Sequence, residues 1–385
     1  MVKVVQPATA AEVAEVLRDA SAAGHTVVPR GGGTKLDWGS NPSTVDIMLD
    51  LGLLDGVDFH APADLVATVR AGTPLADLQA ALAPAGQRLS LDSPSSGATI
   101  GGVLATGEGG PLRQRYGTGR DLLIGVEFVR ADGVIARSGG RVVKNVAGYD
   151  VGKLLCGSYG TLAVITSATF RLHPTPAARA WICRPVETPM DVHDLIGAIV
   201  MSTVDPSAVE VDLPALGSGM LAVLVEGTPG GVAKRAEATR RLLAGDEAGT
   251  SIVDTAPPWW NTYPFEPGDV ALELIAPVDA LHAGIYALHD AVGAAVPLRG
   301  SVGVGVVTAA LPGELSAGQV TAIVDIVRDV LAARGGSCVV LTGPPSVRES
   351  VDLWGDVPGL ELMRQVKARF DPGRTLSPGR FVGGI

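Results

Sequence analysis

The stretch Val27-Val28-Pro29-Arg30-Gly31-Gly32-Gly33-Thr34-Lys35 decides how this chain is read. Two β-branched residues lead into three consecutive glycines. Such a run lets the backbone bend tightly and turn several N–H groups toward one anion, for which a diphosphate is the natural guest. The spacing is wrong for a P-loop, which requires G-x-x-x-x-G-K-[ST]. It is also wrong for G-x-G-x-x-G opening a helix, because Thr34 to Gly39 leads into a turn-rich stretch. A Rossmann NAD enzyme is therefore disfavoured. Taken alone, the glycine run is equally readable as a flexible surface turn.

A second segment tips the balance toward a binding loop. From Ser93 to Gly119 large side chains are nearly absent, hydroxyls stand at Ser95, Ser96, Thr99 and Thr106, and Ile100, Val103 and Leu104 supply apolar anchors. A long loop of small residues inside a compact domain leaves room for something to lie against its backbone. Around these two loops, helical and strand patterns alternate. Val13, Val16 and Leu17 give helical spacing over Thr9 to Ala23, with Thr9 as N-cap. A strand over 26–29 follows. Leu65 to Arg70 reads as a strand leading through Gly72-Thr73-Pro74, with Thr73 as cap, into a helix over 75–82. Strands over 124–130, 134–136 and 162–171 follow, the first two joined by an Asp132-Gly133 turn. Beyond Trp181, strands such as 221–226 alternate with helices such as 232–243, and a last helix spans 361–370. The fold class is α+β.

Composition fits a soluble enzyme of more than one domain. The 385 residues are 46% hydrophobic and 18% charged, with a formal net charge of −10, and a chain this long splits into two or more cores. Thirty basic against forty acidic residues, with no basic stripe, argue against nucleic-acid binding. No window reaches the roughly 18 apolar residues of a membrane span, and the start lacks the pattern of a secretory leader, so a cytoplasmic location is expected. Cys156, Cys183 and Cys338 offer neither a disulfide framework nor metal-ligand spacing and read as structural thiols, so no iron–sulfur cluster is expected on this chain.

The two loops are followed by Tyr116-Gly117-x-x-Arg120-Asp121, Val142 to Asp150, and Gly157 to Thr166. In order and spacing these motifs resemble the PCMH-type FAD-binding domain of the vanillyl-alcohol oxidase flavoprotein superfamily, most closely the second FAD-binding subunit of the glycolate oxidase (glycolate dehydrogenase) complex. The resemblance covers about the first 175 residues densely and about the last 40 loosely, as judged by motif order. It implies an FAD domain of two α+β subdomains over 1–177, an α+β cap over 178–345, and a C-terminal segment over 346–385 returning to the FAD domain. The family's usual Asn is replaced by Ser377.

The resemblance further implies which residues meet the cofactor. Pro29, Arg30, Gly31, Gly32, Gly33, Thr34 and Lys35 would surround the FAD pyrophosphate, with Ser95, Gly97, Ala98, Thr99, Gly101 and Gly102 on its other side. Solvated surface charge is the competing reading for Arg30 and Lys35. Tyr116, Gly117 and Asn145 would neighbour the isoalloxazine, and the strand from Gly160 to Ile165 the adenine end. Many relatives bond flavin covalently to a His in the first loop or a Cys in the second. Neither residue stands there in this chain, so non-covalent FAD is expected.

The implied activity is oxidation of a small 2-hydroxy acid to a 2-oxo acid by hydride transfer to flavin N5, in a complex with a second flavoprotein subunit and an iron–sulfur subunit. The alternative is an FAD-binding subunit that passes electrons or holds the complex together. Candidate catalytic groups are Tyr149 and Lys144 of the FAD domain and Glu273 and Arg299 of the cap, a buried ion pair being the other reading for the last two. No metal is assigned: the family's H-x-x-D-G-N-x-H motif is absent, and His282 and His289, seven apart, read as helix-surface residues that could share a face. Trp259 and Trp260 are either a flavin-shielding wall or packing.

Overall fold

The computed structural model describes residues 2–142, 148–244 and 249–385. The chain divides into two compact units, one of Met1–Gly109, Tyr116–Thr175 and Val357–Ile385, the other of Gly110–Arg115 and Pro176–Asp356.

The first unit carries two main sheets. Lys3–Val5, Ile47–Asp50 and Val27–Arg30 form a parallel sheet in that order. Helix Ala10–Ala23 packs its buried Val13, Ala14 and Leu17 in the same core as Val27, Ile47 and Leu49. Thr9 caps it as expected, its side chain accepting from the Glu12 amide at 3.2 Å, and Gly24 ends it at φ 68, where a left-handed residue releases the last turn at least cost in glycine. The second sheet is antiparallel, ordered Val57–Ala61, Val66–Arg70, Ala163–Arg171, Leu123–Arg130, Ile135–Gly139. Its central strand is buried on both faces: Val164 enters the helix 10–23 core, whereas Ala163 and Ile165 enter the core of the second sheet.

Two local expectations are corrected. Ser93 to Gly119 is not one loop, because Ile100–Thr106 is helical with Ile100, Val103 and Leu104 buried. Their i, i+3, i+4 spacing was the helical signal in that stretch. Thr73 does not cap helix Leu75–Leu82. Its hydroxyl instead accepts from the Gly56 amide at 2.9 Å.

The C-terminal segment binds back onto the first unit. The Val27 amide donates to the Thr375 carbonyl at 2.7 Å and the Ser377 amide to the Val27 carbonyl at 3.0 Å, so the tail extends the parallel sheet beyond Val27. Helix Leu360–Phe370 anchors it through Lys367. That ammonium donates to Asp371 at 2.7 Å and to the carbonyls of Thr161 and Leu376 at 2.7 and 2.9 Å. Burial pulls it below the ordinary lysine value, against the pull of the Asp371 charge.

The second unit is an eight-stranded sheet ordered Ser251–Val253, Ala178–Val186, Gly219–Gly227, Ala208–Leu213, Leu298–Ser301, Val306–Leu311, Val270–Ile275, Ser337–Thr342. Helices Pro189–Val200, Pro229–Ala244, Leu281–Val292 and Ala317–Ala332 contribute to the core on one face. On the other, Trp259 and Trp260 pack with Leu112 around buried Trp181 and Leu224. The α+β class read from the sequence holds. All three cysteines are free, and burial pushes Cys156 and Cys183 up to about 11 and Cys338 up to about 12.

Candidate functional site

The glycine run follows the strand Val27–Arg30 and lines a cleft. Its walls are the first loop from Pro29 to Lys35, the start of helix Ile100–Thr106, the turn Ser158–Gly160, the strand residues Ala163 to Ile165, and Arg380 of the tail. Arg30, Lys35 and Arg380 line it, and no carboxylate, histidine or cysteine stands among its described lining residues. Glycine-rich backbone, hydroxyls and three cations with no facing acid suit a diphosphate-bearing ligand.

The glycines serve chiefly to bring two loops together. Of Gly31, Gly32 and Gly33, the last, at φ +76, has the left-handed conformation that favours glycine. A Cβ on Gly31 would lie 2.1 Å from Thr99 Oγ1, and one on Gly32 would lie 2.1 Å from the Gly97 carbonyl oxygen. Thr99 caps its helix by accepting from the Gly102 amide at 3.4 Å, and Gly101 sits against Ala71, where a Cβ would come within 2.9 Å. The cleft-lining cations are already tethered. Arg30 pairs with Asp50; burial alone would raise that carboxyl, but hydrogen bonds from the Gly52 amide, Gln6 and Arg30 hold it below the usual carboxylate range. Lys35 pairs with buried Glu108 at 2.8 Å.

Residues 2–139 match the family described as FAD binding domain. Escherichia coli glycolate oxidase subunit GlcE is 36% identical over 205 residues, 52% of this chain and 55% of that protein. D-lactate dehydrogenase of Archaeoglobus fulgidus is 36% identical over 193 residues, 50% and 43% of the two chains. Glycolate oxidase subunit GlcD of Bacillus subtilis is 32% identical over 215 residues, 55% and 46%. The chain thus spans about half the length of the curated relatives it matches. Among solved structures, alkyldihydroxyacetonephosphate synthase shares the fold, with a TM-score of 0.70 at 18% identity over 98% of this chain and 77% of that one. The resemblance read from the sequence holds, the fold is of the PCMH type, and FAD is the cofactor.

The first unit gathers many of the residues singled out from the sequence. Pro29 through Lys35, Thr99, Gly101, Gly102, Gly160 and Ile165 line the cleft. Ser95, Gly97 and Ala98 stand behind it: Ser95 donates to Glu108 at 2.6 Å, Gly97 abuts Gly32, and Ala98 is buried, its carbonyl accepting from the Leu75 amide at 2.9 Å. Tyr116 lies outside the cleft wall, its ring 4.7 Å from that of His173 and its hydroxyl 3.1 Å from Arg88. Gly117 turns at φ +78 beside Asp121. Lys144 and Asn145 fall outside the described residues. Tyr149 is 93% exposed and borders a separate polar cavity with Asp121, Lys153 and Arg171.

In the other unit, Glu273 and Arg299 lie on the sheet face opposite the helices. Asp212 pairs with Arg299, Arg299 with Thr308, and Thr308 with Glu273 in register across four adjacent strands. Arg299 donates to Asp212 at 2.6 Å and to Thr262 Oγ1 and the Tyr263 carbonyl, each at 2.9 Å. Arg299 is thus held in a partly buried ion pair with Asp212. The His282 ring lies 4.3 Å from that of His193, tilted by 53°, a partner from another helix that spacing alone does not disclose. Among the described residues no three His, Cys, Asp or Glu side chains are grouped to hold a metal ion, and no helix is long and apolar enough to cross a membrane.

Sequence reasoning missed Arg380, which is 5% exposed and donates to the Lys35 carbonyl at 2.6 Å, with longer contacts to the carbonyls of Trp38 and Tyr159. Nothing in the sequence of the tail marks which side chain reaches the first loop. Ser377 is fully buried at φ 42. That places its backbone in the left-handed region, which Asn tolerates better than most residues. Its hydroxyl lacks a hydrogen-bond partner.

Proposed function

We propose that the chain is an FAD-dependent oxidoreductase of the glycolate oxidase and D-lactate dehydrogenase type, acting on a small 2-hydroxy acid. The carrying observation is the cleft itself: two glycine loops and a helix start, ringed by cations and without a facing carboxylate, inside an FAD-binding domain. When bound, FAD supplies a hydride acceptor at N5. This chain's residues would hold the pyrophosphate through amides of residues 31–34 and 99–102, with Arg30, Lys35 and Arg380 as charge neighbours. Arg299, fixed by Asp212, is the cap cation suited to a carboxylate, and Glu273 the cap group suited to accept a hydroxyl proton. Tyr149 and Lys144 remain candidates from the first unit, and Tyr116, Gly117 and Asn145 candidate neighbours of the flavin ring. Complex formation with a second flavoprotein and an iron–sulfur subunit in the cytoplasm, reaching membranes through those partners, belongs to the same proposal.

A second reading, an FAD-binding subunit that turns over no substrate alone, is favoured by the commitment of Arg299 to Asp212, Thr262 and Tyr263. Anaerobic mixing of the isolated chain with glycolate or D-lactate separates the two. Bleaching of the flavin's visible absorption is the expected result; an unbleached spectrum that responds only once partner chains are added selects the second reading. Among its described residues the cleft lining contains no His or Cys, so acid precipitation is expected to release all yellow colour into the supernatant. Colour retained in the pellet would refute non-covalent binding.

A further inference from the structure

Glu108 is not part of the cleft wall, yet its carboxylate joins the two loops that are. It is 1% exposed and pairs at 2.8 Å with Lys35 Nζ, itself 4% exposed. The same carboxylate accepts from the hydroxyl of Ser93 and, at 2.6 Å, from that of Ser95. Lys35 closes the first loop, and Ser93 and Ser95 open the second. The loops are therefore pinned at two places: where Gly31 and Gly32 press on Thr99 and Gly97, and at this buried ionic knot.

Burying a charged pair costs desolvation, recovered only through close geometry and further hydrogen bonds. An acid placed beside an anion-binding loop also offsets one of the cations that would attract the phosphates. A role in fixing geometry accounts for both features. We propose that Glu108 is a positioning residue for FAD: by holding Lys35 and the 93–95 turn to one carboxylate, it sets the separation of the two rows of amides before the cofactor arrives. Preorganised donors bind more tightly because less ordering is left to the binding step. The proposal rests on the reading that this cleft takes FAD.

The test titrates apoprotein with FAD, following the quench of flavin fluorescence, alongside the thermal midpoint of the apoprotein. In Ser93→Ala/Ser95→Ala the Lys35–Glu108 pair stays and the second loop is untied; neither serine lines the cleft. The FAD dissociation constant, read well below the unfolding midpoint where the apoprotein is folded, is expected to rise at least about tenfold, the scale of losing hydrogen bonds to a charged group, and the apoprotein midpoint is expected to fall as well because the buried Glu108 carboxylate loses two donors. Glu108→Asp, which keeps the charge but shortens the reach, is expected to fall between parent and serine variant. A serine variant that binds FAD as the parent does overturns the positioning role. A parent chain that takes up no FAD overturns the underlying reading, and the proposal with it.

Discussion

Gly32→Ala is expected to strip the chain of FAD. The new methyl carbon would stand 2.1 Å from the Gly97 carbonyl oxygen, a backbone atom that cannot rotate away, so the first and second loops must separate. Overpacking of this kind costs about 1–3 kcal/mol. Because the separating backbones are the ones proposed to hold the FAD pyrophosphate, FAD affinity should drop by about a hundredfold, the binding equivalent of the upper part of that range. Gly31→Ala presses on a side-chain oxygen, Thr99 Oγ1, which can rotate at the expense of its helix cap. Its effect should be smaller, about the 0.5–2 kcal/mol of a lost cap. Equilibrium dialysis against FAD measures both, and equal affinities for Gly32→Ala and the parent would show that the loops are not in the contact described.

Asp371→Ala is expected to give the largest loss of stability. It would remove the counter-charge of Lys367, whose ammonium lies within a buried knot, and two amide acceptors, since Asp371 also receives the Thr375 and Leu376 amides at 2.9 and 2.7 Å. Breaking a buried pair from one side costs about 3–5 kcal/mol because the remaining charge is stranded. The tail from Thr375 to Arg380 should loosen with it, exposing the edge beside Val27 to hydrogen exchange. Lys367→Met/Asp371→Asn, which removes both charges together, should recover a large part of the loss. Chemical denaturation of the three proteins, followed by hydrogen exchange at Val27, checks the order. A double variant as unstable as Asp371→Ala would mean that the amide contacts, not the charges, hold the tail.

Much of the first unit was legible in the sequence because its signals are local. Thr9 before a helical stripe, Asp132-Gly133 between strands, and a glycine run after Val27-Val28 each depend on residues close together in the chain. Helix Ile100–Thr106 was less legible because glycines and threonine, poor helix formers, dilute its apolar triplet. The same small residues that let a cofactor approach obscure the periodicity beneath it.

By itself, the sequence determined the α+β class and, through its ordered motifs, the resemblance to PCMH-type FAD-binding domains. Only the tertiary structure decided which charges are spent internally: Arg30 on Asp50, Lys35 on Glu108, Arg299 on Asp212 and Lys367 on Asp371. It also decided that Arg380, far along the chain from the first loop, enters the cleft. Helix and turn signals are carried by neighbours in sequence, whereas an ion pair depends on distance and burial, which the chain acquires only when segments far apart in sequence are packed together.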